Sequence, residues 1–134
     1  MYPSSLNFAG HGNQKVWAHE WVFEVGTSIP QLQNADRLTL FFLGTCNFSV
    51  YDDPKVYTGS ELLMNRVEGG AVAVVAANRK VYAGDNAALN QGTFRFLFTR
   101  DAYDRLVVER PATALFQYKM TGGNSVNDQK YGFM

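Results

Sequence analysis

Two residues that could act as a nucleophile and a general base each follow an apolar run in this 134-residue chain. His11, at the centre of a Gly-His-Gly triplet, follows the run 6–10. Cys46, the only cysteine, follows the run 38–45. If both runs are strands of a parallel sheet, their ends meet at the carboxyl edge, where open α/β sheets bind ligands. A histidine within hydrogen-bond reach can convert a thiol into a nucleophilic thiolate. The pattern therefore predicts a His11–Cys46 dyad.

The residues around this pair suggest how a substrate would be held. Gly10 permits a tight turn, and Gly12 lets a backbone N–H approach a ligand without a Cβ in the way. The N–H groups of Gly12 and Cys46 are candidates for an oxyanion hole. Trp17 closely follows the histidine loop and is the best candidate for a wall of the substrate cleft, although packing within a long loop is the commoner role for such a residue.

Other interpretations of the same residues are weaker. A lone cysteine is usually a small buried hydrophobe, but Cys46 lies just past its apolar run rather than inside it. His11, His19 and Cys46 match none of the short paired spacings typical of zinc, so we expect no metal site. Asp52 and Asp53 could join a calcium site, yet adjacent acids in a loop are usually only solvated. Two Gly-Gly pairs lack the spacing of a phosphate-binding loop.

Composition excludes several classes of function. The chain is 46% hydrophobic and 14% aromatic, which is typical of a folded domain rather than a disordered one. Twelve basic residues balance twelve acidic ones, so no basic face for nucleic acid is predicted. No apolar run is long enough to span a membrane, and the first residues do not resemble a signal peptide. One cysteine cannot form an internal disulfide.

Hydrophobic periodicity predicts an α/β domain. We expect strands at 4–9, 37–45, 71–76 and 130–134, helices at 27–32, 59–67, 86–98 and 107–120, and ordered loops at 13–26 and 47–58. The alternation of strands and helices favours one sheet with helices packed on its faces. Right-handed crossovers would make the first three strands parallel, and each should be buried.

Four local details follow from the same patterns. Thr27 or Ser28 is the expected N-cap of the first helix. In the second helix, Val67 should share a buried face with Leu62, Leu63 and Met64. Residues 121–124 should form a turn before the last strand. In the third helix, the expected buried stripe consists of Leu89, Thr93, Phe96 and Leu97.

Several segments, taken together, resemble one family. The chain is similar to the gingipain-type cysteine peptidases of family C25 over nearly its whole length. The most specific stretches are the histidine loop and the sequence Thr45-Cys46-Asn47 with the loop that follows it. The segments that carry the resemblance are 6–12, 17–18, 45–54, 59–63, 69–74, 78–82, 89–90 and Lys119.

This resemblance implies a fold and a set of roles. The fold would be a caspase-like, three-layer α/β/α domain with a mostly parallel sheet. Residues 1–134 would form the C-terminal part of a gingipain-like catalytic domain, with its first strands and the acid that supports the histidine before residue 1. His11 would be the general base and Cys46 the nucleophile, with the N–H groups of Gly12 and Cys46 in the oxyanion hole.

The similar branch is that of the type IX secretion sortases (the PorU type). These enzymes remove C-terminal sorting domains from exported proteins at the outer-membrane surface. The expected partners are a polypeptide substrate and other type IX secretion components. Two alternatives stay open: a secreted, gingipain-like general protease, and a non-catalytic scaffold of the secretion machinery. No cofactor is expected for this chain, while calcium dependence of the full-length protein stays open.

Overall fold

A computed structural model describes residues 4–122 and 125–134 of the chain. The strands are β1 (Ser4–Ala9), β2 (Val16–Trp17), β3 (Phe23–Glu24), β4 (Thr39–Gly44), β5 (Ala71–Ala77), β6 (Phe98–Arg100), β7 (Leu106–Val108) and β8 (Tyr131–Phe133). The α-helices are α1 (Val25–Ser28), α2 (Gly59–Met64), α3 (Ala83–Leu97) and α4 (Pro111–Thr121). Two 3₁₀ turns cover Ile29–Gln31 and Asp128–Lys130.

The main sheet contains four strands in the order β1-β4-β5-β8. The first three are parallel, as the crossover rule predicts, and β8 runs antiparallel to β5. Strands β4 and β5 are almost continuously apolar and buried, which matches their central place between two helical layers. The four predicted strand positions are therefore confirmed.

Helices cover both faces of this sheet. On one face, Leu63 of α2 packs with Phe41 and Val74. On the other face, Leu89 of α3 and Leu115 of α4 pack around Phe42 and Val75. Because β-strand side chains alternate between faces, neighbouring residues of β4 contribute to opposite cores. The predicted three-layer α/β/α arrangement is confirmed.

Strand β1 is not buried as expected, because it lies at the edge of the sheet. Most of its side chains are exposed or only partly covered. Asn7 and Asn90 of α3 exchange side-chain hydrogen bonds of 2.9 and 2.7 Å, which tie this edge to the helical layer. Ser4 and Thr39 also share a hydroxyl hydrogen bond of 2.7 Å.

The segment before β4 is more ordered than predicted. Residues 13–26 contain the short antiparallel ribbon of β2 and β3. The first helix begins at Val25, so its N-cap is Glu24 rather than Thr27 or Ser28. Ser28 lies at the end of that helix, and its hydroxyl accepts a hydrogen bond of 3.0 Å from the Glu24 N–H.

Two predicted helices have different bounds in the structure. Helix α2 ends at Met64, so Val67 is 91% exposed and the expectation that it is buried is wrong. The predicted helix at 107–120 begins only at Pro111, because proline is tolerated in a first turn but not inside a helix. Strand β7 occupies the preceding residues and pairs with β6 in a hairpin.

The remaining expectations are met in part. In α3, Leu89, Thr93 and Leu97 are buried, whereas Phe96 is only partly buried. Of the predicted turn at 121–124, Gly123 and Asn124 lie outside the described residues. None of the helices in the described ranges is long and apolar enough to cross a membrane.

Candidate active site

The register of β1 against β4 sets His11 opposite Cys46. Each residue of β1 pairs with the residue 35 positions further along, from Ser4 with Thr39 to Ala9 with Gly44. The Gly10 N–H donates a hydrogen bond of 3.1 Å to the Gly44 C=O, so this pairing continues past the last strand residues. The same offset separates His11 from Cys46.

Both side chains belong to the sheet face that α3 covers. Phe42 packs on that face, and alternation assigns Gly44 and then Cys46 to it. Asn7 reaches α3 on the same face, and alternation likewise assigns His11 to it. His11 and Cys46 line a single cleft of about 180 Å³, together with residues of the first turn of α3. The structure therefore brings the two predicted residues together.

Gly12 lets the histidine loop lie directly against the cysteine loop. A Cβ at this position would collide with Thr45 Oγ1 and would lie 2.9 Å from the Val16 C=O oxygen. Thr45, the residue before Cys46, is fully buried. Gly12 is therefore required for the close approach of two loops, rather than for a turn with positive φ.

The Gly12 N–H points away from the hairpin that follows it. Gly12 and Trp17 form an antiparallel bridge flanked by two hydrogen bonds. The Asn13 N–H donates to Val16 C=O at 3.0 Å, and the Ala18 N–H donates to His11 C=O at 2.7 Å. Such flanking bonds define a non-hydrogen-bonded pair, whose own N–H groups point outward. The hairpin thus leaves this predicted oxyanion-hole donor free to bind another group.

Cys46 is partly exposed on a well-anchored loop. Its thiol donates a hydrogen bond of 3.6 Å to the Val81 C=O, in the segment between β5 and α3. Asn47 has a φ of 54°, a left-handed conformation that asparagine tolerates better than most residues. The Asn47 N–H donates to Arg79 C=O at 3.3 Å, which fixes the turn after the cysteine.

Two asparagines that the sequence analysis missed support this cleft. Asn86, in the first turn of α3, lines the cleft and donates a hydrogen bond of 3.4 Å to the Gly44 C=O. Its side-chain oxygen accepts a bond of 3.3 Å from Asn127, whose own oxygen accepts 2.8 Å from the Tyr82 N–H. Asn86 lies 42 positions from Gly44 and 41 from Asn127, so no local motif could have indicated the chain of amides.

Trp17 does not wall the cleft, contrary to expectation. Its side chain is only 3% exposed and belongs to the core on the opposite face of the sheet. It stacks on Phe23 with ring centroids 4.1 Å apart and on Phe8 at 5.2 Å. Strand β2 carries its side chain inward. Trp17 therefore has the packing role that is commoner for such a residue.

The described residues contain no group of three or more His, Cys, Asp or Glu side chains that could hold a metal ion. His19 does not line the cleft with His11 and Cys46. Asp52, a candidate calcium ligand, forms an exposed ion pair with Arg79. The hydrogen bond from this guanidinium lowers the pKa of the Asp52 carboxyl.

Comparisons with known proteins agree with this architecture. A structure of the pro- and mature domains of RgpB from Porphyromonas gingivalis matches 95% of this chain with a TM-score of 0.68 and 20% identity. The Arg-specific cysteine proteinase gingipain R matches 95% with a TM-score of 0.68 and 18% identity. Another solved protease matches 61% with a TM-score of 0.55 and 23% identity. No curated protein matches the chain.

These structures are considerably longer than the present chain. The chain spans 30% of each gingipain chain and 18% of the other protease. At such low identity they show a shared fold, a mixed and mostly parallel α/β sheet. The model of peptidase family C25 matches residues 3–132, nearly the whole sequence. The chain therefore belongs to peptidase family C25.

Proposed function

We propose that this chain carries the catalytic dyad of a cysteine endopeptidase, with Cys46 as nucleophile and His11 as general base. The observation that carries this proposal is the placement of both side chains in one cleft at the carboxyl edge of the sheet. The constant register between β1 and β4 makes that placement a consequence of the fold. Membership of a peptidase family supports the same chemistry.

The reaction would proceed in two balanced stages. His11 takes the proton from the Cys46 thiol, and the sulfur attacks the carbonyl carbon of the scissile peptide. The tetrahedral intermediate collapses to a thioester as the imidazolium gives its proton to the departing amine. Water then attacks the thioester with His11 again as base, which releases the carboxylic acid and restores the thiol.

Two features would stabilise the charges that form. The outward N–H of Gly12 and the N–H of Cys46 are the proposed donors to the oxyanion. Loss of one such donor typically costs about 10²- to 10³-fold in rate. The first turn of the 15-residue helix α3 also lines the cleft, and its positive dipole end favours a negatively charged sulfur.

The more specific role that we propose is a type IX secretion sortase at the outer-membrane surface. It would remove the C-terminal sorting domain from exported proteins and work beside other secretion components. Similarity to that branch in the segments around His11 and Cys46 supports this role. We further propose that residues 1–134 are the C-terminal part of a larger gingipain-like catalytic domain.

The dyad is tested by hydrolysis with the full-length protein. We expect Cys46→Ala to abolish cleavage while the thermal melting curve stays unchanged, because the one hydrogen bond that the thiol makes with the described residues is long. Cleavage that survives Cys46→Ala would contradict the proposal. Wild-type protein without any cleavage would favour a scaffold.

The sortase role needs a separate comparison of substrates. One substrate is a fusion protein that ends in a sorting domain, and the other is casein. A sortase should cleave the fusion at one junction and leave casein intact. Rapid digestion of casein would instead indicate a secreted general protease.

A further inference from the structure

Tyr131 lies at the same edge of the sheet as the proposed dyad. Leu43 pairs with Ala76, so Gly44 neighbours Ala77, and Ala77 pairs with Tyr131 in the antiparallel register. Tyr131 belongs to the core on the α3 face, the face to which alternation assigns Cys46. A residue of the last strand therefore lies on the same sheet face as Cys46 and near the same edge.

The hydroxyl of Tyr131 is buried without a partner. The residue is 3% exposed, and its oxygen has no hydrogen-bond partner among the described residues. Buried hydroxyl groups in native proteins are nearly always paired, so an unpaired one requires an explanation. Its backbone C=O, by contrast, accepts a hydrogen bond of 2.6 Å from the Lys119 ammonium. The strand is held in place, while the phenol oxygen is left unsatisfied.

One shared neighbour and one charge effect indicate that Tyr131 lies near Cys46. Val81, whose C=O accepts the hydrogen bond from the thiol, packs against the cluster that contains Tyr131. Burial raises the pKa of Tyr131, and the nearby charges of Cys46 and Asp128 raise it further. The phenol therefore keeps its proton at neutral and mildly alkaline pH and stays a hydrogen-bond donor.

The thiol and the thiolate forms of Cys46 require different hydrogen-bond partners. As a thiol, Cys46 donates its hydrogen to the Val81 C=O. Once His11 has taken that proton, the sulfur can only accept hydrogen bonds, and the Val81 carbonyl offers none. A neutral phenol near this edge of the sheet can supply the missing donor, and hydrogen bonds to a charged form favour that form.

We propose that the Tyr131 hydroxyl donates a hydrogen bond to the Cys46 sulfur when it is a thiolate, which makes Tyr131 a further residue of the active site. The inference rests on the proposed dyad function. No proton leaves the tyrosine: the bond strengthens as the sulfur becomes negative and weakens as its charge passes to the substrate carbonyl oxygen. The unsatisfied hydroxyl of the resting structure is thereby explained.

Several other charged groups surround this pair and bear on its pH behaviour. His11 faces Cys46 across the cleft. Burial raises the pKa values of Tyr131 and Tyr118, and the charge of Asp128, in the 3₁₀ turn before β8, raises them further. Burial lowers the pKa of Lys119, and the charge of Asp128 opposes that shift. The charge of Asp85 in α3 also raises the pKa of Tyr118. Tyr118 shares the α3 face with Tyr131, but Cys46 is not among the charges that raise its pKa, so it is a matched control.

The test is the rate of alkylation of Cys46 by iodoacetamide between pH 5 and pH 9, in the full-length protein, with the Cys46→Ala signal subtracted. We expect Tyr131→Phe to move the midpoint of the pH–rate profile upward by about one unit, a tenfold slower reaction on the acid side. Tyr118→Phe should leave the profile unchanged. Melting curves of Tyr131→Phe should match wild type, because removing a hydroxyl with no partner costs little stability.

The outcomes separate this inference from the function on which it rests. If the Tyr131→Phe profile overlies that of wild type while His11→Ala alters it, the role of Tyr131 is refuted and the dyad stands. If the His11→Ala profile also overlies wild type, the dyad itself fails. Equal shifts in Tyr131→Phe and Tyr118→Phe would reduce the effect to a general change of the α3 face and would also refute the proposal.

Discussion

At the scale of single residues, the site depends on how closely two loops can approach. Gly12 lies against Thr45, and these residues directly flank the proposed base and nucleophile in sequence. Shifting either loop by an ångström would misplace His11 against Cys46, and misplacements of that size can cost about 10²-fold in rate. The absence of a side chain at Gly12 therefore helps to set the distance between His11 and Cys46.

We expect Gly12→Ala to separate the loops, since its Cβ would collide with Thr45 Oγ1. The variant should lose about 1–3 kcal/mol of unfolding free energy through overpacking and about 10²-fold in peptide hydrolysis. Gly26→Ala is the control, because a Cβ there meets nothing within 4 Å. A Gly12→Ala variant with wild-type melting and hydrolysis would show that the loops do not need this contact.

At the scale of secondary-structure elements, strand alternation assigns neighbouring residues of β4 to two hydrophobic cores, one on each face of the sheet. Phe41 and Leu43 build the core with α2 and the β2–β3 ribbon, whereas Phe42 builds the core with α3. The cleft opens only at the α3 end of this arrangement, where the first turn of that helix faces the strand ends. The ribbon therefore stabilises the opposite face without lining the cleft.

Trp17 should matter for stability rather than for substrate binding. Trp17→Ala removes a fully packed indole and should lower the free energy of unfolding by about 3–5 kcal/mol in urea titrations. Trp21→Ala, which removes an indole that is 61% exposed, should change it by no more than about 0.5 kcal/mol. Equal small effects of both substitutions, with a raised KM for Trp17→Ala, would restore the cleft assignment.

Asn86 should act on turnover through the position of β4. We expect Asn86→Ala to lower kcat with little change in KM, because the variant removes the side-chain hydrogen bond that ties the Gly44 C=O, two residues before Cys46, to α3. Asn90→Ala on the same helix removes another buried amide, the one paired with Asn7. Both variants should lose about 1–3 kcal/mol of stability, because each removes two side-chain hydrogen bonds.

Only Asn86→Ala should lower kcat in steady-state hydrolysis beyond what the shared loss of stability explains. Parallel losses of kcat in the two variants would mean that Asn86 has a structural role alone.

The contrast between sequence and structure has a physical cause at each position. The strands that end before His11 and Cys46 were predictable, because continuous apolar runs bounded by polar residues are a local signal. Trp17 was misplaced, since sequence order says nothing about which face of a ribbon turns inward. The 98–108 hairpin was missed because its valines suit a helix face as well as a strand.

The amide chain of Asn86 and Asn127 was missed for another reason. Its partners are 41 positions apart, and only the packing of α3 against the segment before β8 brings them together. The role of the Tyr131 hydroxyl could not be predicted from the sequence either, because it depends on the absence of a hydrogen-bond partner among the described residues.

At the scale of the whole molecule, helices cover both faces of the four-stranded sheet, and both proposed catalytic groups line one cleft at its carboxyl edge. The fold is that of the gingipains, although the chain spans only 30% of their length. Both members of the proposed dyad lie within the matched family segment, at residues 3–132. The proposed base, His11, and the proposed nucleophile, Cys46, therefore both belong to this chain.

The most direct measurement is covalent labelling of Cys46 by a peptidyl electrophile in the full-length protein, read by mass spectrometry, for wild type and His11→Ala. We predict rapid labelling of wild type and labelling slowed by at least about 10²-fold in His11→Ala, because general-base assistance contributes rate factors of that order. His19→Ala, which removes a histidine outside the cleft, should label like wild type. Equal labelling of wild type and His11→Ala, or no labelling of either, would contradict the account.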